Sequence, residues 1–279
     1  MTPENPIVVS YGGGVNSVAL LVYLQREGFV PKAIVMADPG SERVGTVRFR
    51  DHELPQWLVK VGFPKLEVID RISEGAHVAR AWRLETLEGE CLRTQSLPSV
   101  AYGWKKCSAK YKGDTQRWWA ARQEWAKELW ASGRKIRKVI GYDAGETRRV
   151  KKSFQNDWEE ARFVPWYPLH DAGFDRDGCE ELIRGAGLSV PPKSACTFCP
   201  NNTLEEWTDL RRDEPEMFAR AVEMSRNAET TLTAPDVVGL MRCNPHGKRQ
   251  LHVWAAGGYD DGEPLKGGRE DEMPCECAD

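Results

Sequence analysis

The sequence predicts an α/β fold: a doubly wound, mostly parallel sheet followed by a cysteine-containing, mainly helical C-terminal region. Three observations predict it. Short β-branched runs alternate with helical segments from Ile7 onward. A glycine-rich stretch joins the first run to the first helix. After Phe163 the alternation stops, and prolines, a Cys-x-x-Cys and short helical segments replace it.

In chain order, Ile7-Val8-Val9-Ser10 follows Pro6 and reads as a buried strand. Tyr11-Gly12-Gly13-Gly14-Val15-Asn16-Ser17 is the turn, and residues 18–24 continue as a helix that stops near Gly28. Residues 33–37 form a second apolar strand, 46–61 a helix disturbed at Pro55, and 66–69 a third strand. This alternation argues for a parallel sheet with helices on both faces. Residues 114–132 read as one helix with Trp118, Arg122, Trp125 and Leu129 along one side. Its spacing is that of a core stripe, and stacking on nucleic-acid bases is the lesser reading. A further strand covers 136–142, and helices are expected at 175–186, 204–212 and 214–229. The expected organisation is an α/β nucleotide-binding domain over 1–160 and a Cys-x-x-Cys helical region over 161–256 that completes the active site. An acidic, flexible tail over 257–279 ends the chain.

Composition narrows the function. The 279 residues carry 39 Lys+Arg against 42 Asp+Glu, a net charge of -3, with 41% hydrophobic residues. That excludes a disordered chain and excludes nucleic-acid binding by bulk charge alone, leaving only a local basic patch. The longest apolar stretch, 18–24, is far shorter than the roughly 20 residues of a spanning helix. The N-terminus has no basic and apolar leader pattern, so a cytoplasmic protein without membrane contact is expected. In a reducing compartment the eight cysteines, at 91, 107, 179, 196, 199, 243, 275 and 277, are candidates for metal ligation or thiol chemistry rather than disulfides.

The glycine loop carries the first functional signal. Glycines between a strand and a helix let backbone N–H groups face an anion, and the helix dipole adds to the attraction. Gly12 to Ser17 is thus a candidate phosphate cradle, with the Ser17 hydroxyl as a further donor. It is neither a Walker A loop nor Gly-x-Gly-x-x-Gly.

Ser10-Tyr11-Gly12-Gly13-Gly14-Val15-Asn16-Ser17 resembles the pyrophosphate loop of the PP-loop ATP-pyrophosphatase superfamily, whose usual form is Ser-Gly-Gly-x-Asp-Ser. Gly12 stands where Ser is usual and Asn16 where Asp is usual. Asp38-x-Gly40-x-Glu42 with Thr46, and Gly141 to Arg149 with Glu146, Arg148 and Arg149, resemble the family segments after the second and fourth strands. The resemblance covers about residues 6–225 and is nearest to the PAPS-reductase-like branch, which includes phosphosulfate reductases and DNA phosphorothioation enzymes. It implies a Rossmann-like sheet of the HUP type. Ser10, Gly12, Gly13, Gly14, Asn16, Ser17, Asp38, Gly141 and Glu146 would bind nucleotide; Asn16, Ser17, Arg148 and Arg149 would act on the phosphates, with ATP and Mg²⁺ as the bound species.

Cys196-Thr197-Phe198-Cys199-Pro200 places two thiols where they can reach one metal or cluster. Related sequences carry a [4Fe-4S] cluster beside the nucleotide site. By that resemblance Cys107, Cys179, Cys196 and Cys199 would ligate one cluster, with Cys91 and Cys243 competing for the place given to Cys179. A four-cysteine zinc site is the alternative metal, and unligated buried thiols the remaining one. Two basic runs, Lys105, Lys106, Lys110 and Lys112 around Cys107, and Arg148, Arg149, Lys151 and Lys152 after Glu146, are placed to neutralise a sulfate, a nucleotide phosphate or a polynucleotide backbone.

The expected function is an ATP pyrophosphatase that adenylates a target, a nucleic acid by the resemblance, for sulfur transfer. A cysteine desulfurase or another sulfur donor would be its partner. The alternatives are a reductase of adenylyl sulfate or its 3′-phosphate, for which the tail supplies Glu276-Cys277 without the usual Gly and His, and a non-catalytic nucleotide-binding subunit.

Overall fold

The computed structural model describes residues 5–78, 83–104, 106–151, 157–231, 239–241 and 250–257. Residues 258–279 of the expected tail, with Cys275 and Cys277, and also Cys243, Lys105 and Lys152, lie outside the described residues.

Five strands form one sheet: β1 (Ile7–Ser10), β2 (Ala33–Asp38), β3 (Leu66–Asp70), β4 (Ile136–Ile140) and β5 (Phe163–Trp166). All pair in parallel, in the order β3-β2-β1-β4-β5. From β1 the chain winds outward through β2 and β3, then returns to β4 on the other side. The strand order therefore reverses between β1 and β4. In open α/β sheets, ligands bind outside the strand C-termini at such a switch point.

The helix α1 (Val15–Arg26) follows β1, and six of its residues, Val18 to Val22 and Leu24, are almost wholly buried. A helix apolar on all sides needs cover on all sides. The sheet covers one side, and helices Leu54–Val61 and Arg176–Gly185 share the same core. Trp119, Ala126 and Leu129 cover the opposite face of the sheet. Among the described residues no helix is long and apolar enough to cross a membrane.

Three expectations are corrected. The helix expected over 46–61 is interrupted: Val44–Arg48 passes through a wide π-type stretch, Phe49–Glu53, into Leu54–Val61, where Pro55 sits in the first turn. A proline there removes no hydrogen bond. The helix expected over 114–132 breaks at Gln123, whose ψ of 121° is extended, giving Asp114–Arg122 and Glu124–Ala131. The break resets the helical phase, so the single stripe does not persist. Trp119 rather than Trp118 enters the core, Trp118 stacks on the Arg71 guanidinium at 4.5 Å, and Arg122 pairs with Glu74 at 2.6 Å. Finally, no strand was expected after residue 142, but β5 completes the sheet, and helix Arg176–Gly185 packs in the core around α1. β5 was not expected because it is four residues long and contains Pro165. An edge strand tolerates that proline, since one side of its ladder has no partner to lose.

A second apolar core lies beside the sheet. It takes Leu87, Cys91, Cys107 and Tyr111 from one stretch of chain and Cys196, Phe198, Cys199, Trp207 and Phe218 from another. A capping box starts its helix Leu204–Asp213: Thr203 Oγ1 accepts from the Glu206 N–H at 3.2 Å, and the Glu206 carboxylate accepts from the Thr203 N–H at 2.8 Å.

Candidate functional site

The site begins where β1 ends. α1 starts at Gly14 without a side-chain cap and without an acidic residue in its first turn. The first N–H groups of a helix have no partner within it, and the dipole makes that end positive. The preceding Gly13 has φ +83°, a left-handed conformation open to glycine at little cost. A Cβ there would also lie 2.8 Å from Thr46 Cγ2.

The end of β4 closes on the same helix terminus. A Cβ at Gly141 would stand 2.5 Å from the Asn16 carbonyl oxygen and 3.1 Å from the Ser17 nitrogen. Only a glycine lets the two backbones approach this closely. Beyond it, the Asp143 side chain caps the turn Ala144–Glu146 and accepts from the Gly145 N–H at 2.9 Å. Asn16 ties this turn to α1: its Nδ2 donates to Asp143 Oδ2 and to Glu146 Oε2, both at 2.9 Å. Asn16 Oδ1 is buried with no hydrogen-bond partner. The Arg149 guanidinium pairs with Glu146 Oε1 and lies 4.3 Å from the Tyr142 ring centre.

Together these loops wall a cleft of about 280 Å³. Of the expected site residues, Ser10, Gly12, Gly14, Asn16, Ser17, Gly141, Glu146 and Arg149 line it and Gly13 does not; Lys112, Arg176, Lys193 and Ser194 join them. Four cationic side chains line it, each with a carboxylate neighbour: Arg149 with Glu146, Lys112 with Glu42 at 3.6 Å, Lys193 with Glu206 at 2.9 Å and Arg176 with Glu180 at 3.3 Å. Such a wall favours a polyanion of phosphate type.

The remaining expected residues are placed differently. Asp38 ends β2, accepts from the Gly40 N–H at 2.7 Å and pairs with Arg50 at 3.1 Å; it is not part of the cleft lining. Arg148 is exposed and does not line the cleft. The Ser17 hydroxyl donates to the Gly14 carbonyl at 2.8 Å, so it braces the loop instead of offering its proton to a ligand. Ser10 Oγ accepts from Gln116 Nε2 at 2.8 Å.

A direct link runs from this cleft to the cysteines. The chain after β2 lies against the residues before the Cys-x-x-Cys turn. Arg43 N–H donates to the Ala195 carbonyl at 3.3 Å, Thr197 N–H to the Ser41 carbonyl at 2.9 Å, and Glu42 bridges Cys196. The buried Glu42 carboxylate accepts from Ser194 Oγ at 3.0 Å and stands 3.6 Å from Lys112 Nζ. Cys199 N–H donates to the Cys196 carbonyl at 3.0 Å, closing the turn that brings both thiols inward.

Cys107, Cys196 and Cys199 line one small, almost wholly apolar cavity, with Pro39, Phe198 and Lys112 in its wall. Lys112 therefore borders both the cationic cleft and the thiol cavity. Cys91 and Cys107 border an adjoining cleft, and burial, with the Glu90 and Cys107 charges adding, pushes the Cys91 thiol up to about 12. Cys179 is elsewhere: it packs in the core under α1, where burial pushes its thiol up to about 12. Of the expected quartet, Cys107, Cys196 and Cys199 come together and Cys179 lies apart. Cys179 sits on the inner face of a helix whose apolar side must meet α1, and Cys91 occupies the core of the other three. Among the described residues no three His, Cys, Asp or Glu side chains are close enough to hold one metal ion. A cubane differs from a single ion, since it offers each thiolate a separate iron.

Sequence reasoning missed Lys112, Arg176, Lys193 and Ser194 as cleft residues. Lys112 stood in a basic run already singled out, and Lys193-Ser194 directly precedes Ala195-Cys196. Arg176 had no local signal, because only the packing of its helix on α1 brings it to the cleft.

Fold and site define a doubly wound α/β protein with a cationic cleft at its switch point and a thiol-lined cavity beside it. No protein-family model matches the chain, and no curated protein matches its sequence. Among solved structures the chain is similar to the U34-tRNA thiolase NcsA from Methanococcus maripaludis with its [4Fe-4S] cluster, at 12% identity over 81% of this chain and 72% of that chain, with a TM-score of 0.37.

Proposed function

We propose that this chain is an ATP pyrophosphatase of the PP-loop type that adenylates an acceptor, a nucleic acid, for sulfur transfer. The observation that carries the reading is Lys112, whose side chain borders the cationic cleft and the thiol cavity at once. Nucleotide chemistry and sulfur chemistry would then meet across a single residue.

In the first step an acceptor oxygen attacks the α-phosphorus of ATP. The acceptor–AMP bond forms, the α–β phosphoanhydride bond breaks, and pyrophosphate leaves. The open N-terminus of α1 would hold the phosphates, while Lys112, Arg149, Arg176 and Lys193 would balance the charge that develops on the departing pyrophosphate. A sulfur nucleophile then displaces AMP, and a cysteine desulfurase or other donor supplies that sulfur. The oxygens of Asn16 and Asp143 are of the hard type that suits Mg²⁺, and Asn16 Oδ1 is unpartnered. Bound Mg²⁺ would neutralise phosphate charge. The thiols of Cys107, Cys196 and Cys199, with Cys91 in the same apolar core, suit a [4Fe-4S] cluster, which would hold or pass sulfur.

ATP–pyrophosphate exchange tests the reading. Labelled pyrophosphate should enter ATP in the presence of protein and acceptor, and Lys112→Ala should lower the rate about 10²-fold or more, as loss of a positioned charge does. Absence of exchange with every nucleic-acid acceptor would overturn it.

A further inference from the structure

A second cleft opens on the far side of Cys107, and nothing in the adenylation step uses it. Its wall holds three aromatic rings, Tyr102, Trp104 and Tyr111, and two lysines, Lys106 and Lys110. The acid in that wall, Glu90, is already engaged by the Lys110 ammonium and by the Tyr111 hydroxyl at 2.7 Å. That pair is neutral and the Tyr111 ring is buried, so what faces a ligand is the exposed Trp104 ring and the Lys106 ammonium.

Trp104 is the distinctive part. It is 65% exposed, although a tryptophan normally buries most of its ring. The backbone that presents it is rigid. Residues Ser99–Tyr102 form a short helix that ends in a Schellman turn: Trp104 N–H donates to the Ser99 carbonyl at 3.0 Å and Gly103 N–H to the Val100 carbonyl at 3.1 Å, with Gly103 at φ +80°. The Lys106 ammonium lies 5.8 Å from the Trp104 ring centre, and the Lys110 ammonium 5.2 Å from that of Tyr111. An open ring beside a lysine is the pairing that holds an unpaired base by stacking and its phosphate by charge. A duplex does not fit this description, since its bases already stack on one another and offer no free face.

We propose that this cleft, walled by Tyr102, Trp104, Lys106, Lys110 and Tyr111, binds a single-stranded segment of nucleic acid, with one base stacked on Trp104 and the adjoining phosphate on Lys106. The inference builds on the sulfur-transfer reading in one respect: Cys107 is shared by this cleft and the thiol cavity, so the held strand is the acceptor.

The test is fluorescence anisotropy of labelled oligonucleotides with the full-length protein and no ATP. The probes are single-stranded DNA, single-stranded RNA and the matching DNA duplex. One or both single strands should bind more tightly than the duplex. Trp104→Ala should weaken single-strand binding by roughly 5- to 150-fold, the loss of one stacked base, and Trp104→Phe should recover most of it. Lys106→Ala should reduce the slope of log affinity against log salt by about 0.7, one phosphate contact on a single strand. Both side chains are exposed, so these variants fold, and an unchanged melting curve verifies it. Wild-type affinity in both alanine variants, a duplex bound as tightly as the single strands, or no binding of any probe would overturn the proposal. The readout contains no nucleotide. Strand binding that depends on Trp104 in a protein without ATP–pyrophosphate exchange would overturn the adenylation reading alone.

Discussion

Gly141→Ala isolates the close approach on which the cleft depends. The added Cβ would lie 2.5 Å from the Asn16 oxygen, 2.8 Å from the Asn16 carbonyl carbon and 3.1 Å from the Ser17 nitrogen. All three are backbone atoms of the first turn of α1, so no side chain can swing aside. The oxygen would have to retreat by about 0.5 Å merely to reach 3.0 Å, the lower bound of real contacts. α1 is clamped between the sheet and two helices, and movement of its end disturbs the Asn16 bonds to Asp143 and Glu146. Overpacking of this kind costs about 1–3 kcal/mol. At about 2–4 °C per kcal/mol for a chain of this size, the melting temperature falls by several degrees. ATP affinity should fall by about tenfold or more, because the helix terminus proposed to hold the phosphates is displaced. Gly185→Ala is the control: an added Cβ there meets nothing within 4 Å, and the residue lies outside the cleft. Calorimetric titration with ATP and thermal melts of both variants decide the matter. If Gly141→Ala binds ATP and melts as the wild type does, the junction of β4 with α1 does not shape the site.

Three other outcomes are expected. Glu42→Ala removes a buried partner of Lys112 and the acceptor of Ser194, and should destabilise the protein by about 3–5 kcal/mol in urea titrations, the usual cost of removing one member of a buried ion pair. Iron and sulfide content after anaerobic purification should collapse in Cys91→Ser, Cys107→Ser, Cys196→Ser and Cys199→Ser but persist in Cys179→Ser; the reverse pattern at Cys91 and Cys179 would return the ligand set to the one read from sequence. The Cys179 thiol, normally at 9.0, is pushed up to about 12, mainly by burial. Between about pH 9 and 12 the unfolded chain therefore releases a proton that the native protein retains, so stability falls as pH rises through that window. Urea midpoints at about pH 8 and pH 11 should diverge more in the wild type than in Cys179→Ala.

What the sequence determined by itself was local. Ile7 to Ser10, the glycine loop and the apolar run of α1 announce a strand, an anion-facing turn and a buried helix within 20 consecutive residues. Their signals are hydrophobic periodicity and backbone freedom, and both are properties of short segments. The loop residues accordingly line the cleft where expected. The Cys-x-x-Cys was legible for the same reason. β5 and the break at Gln123 were not, because an edge position tolerates Pro165 and a single extended residue leaves no periodic trace.

The tertiary structure decided which distant residues share a site. Cys91 and Cys179 are equally apolar helix positions in sequence. They part company because one helix packs with Phe198 and Trp207 and the other must cover α1. Asn16 reads as a weaker form of an acidic residue until Asp143 and Glu146 are seen beside it, where an amide can donate to both and a third carboxylate could only repel them. Lys112 belongs to a basic run in sequence, yet the fold inserts that one lysine between two cavities. Contacts across about 70 to 130 residues are set by which apolar faces must cover one another, and no local window of the chain encodes that choice.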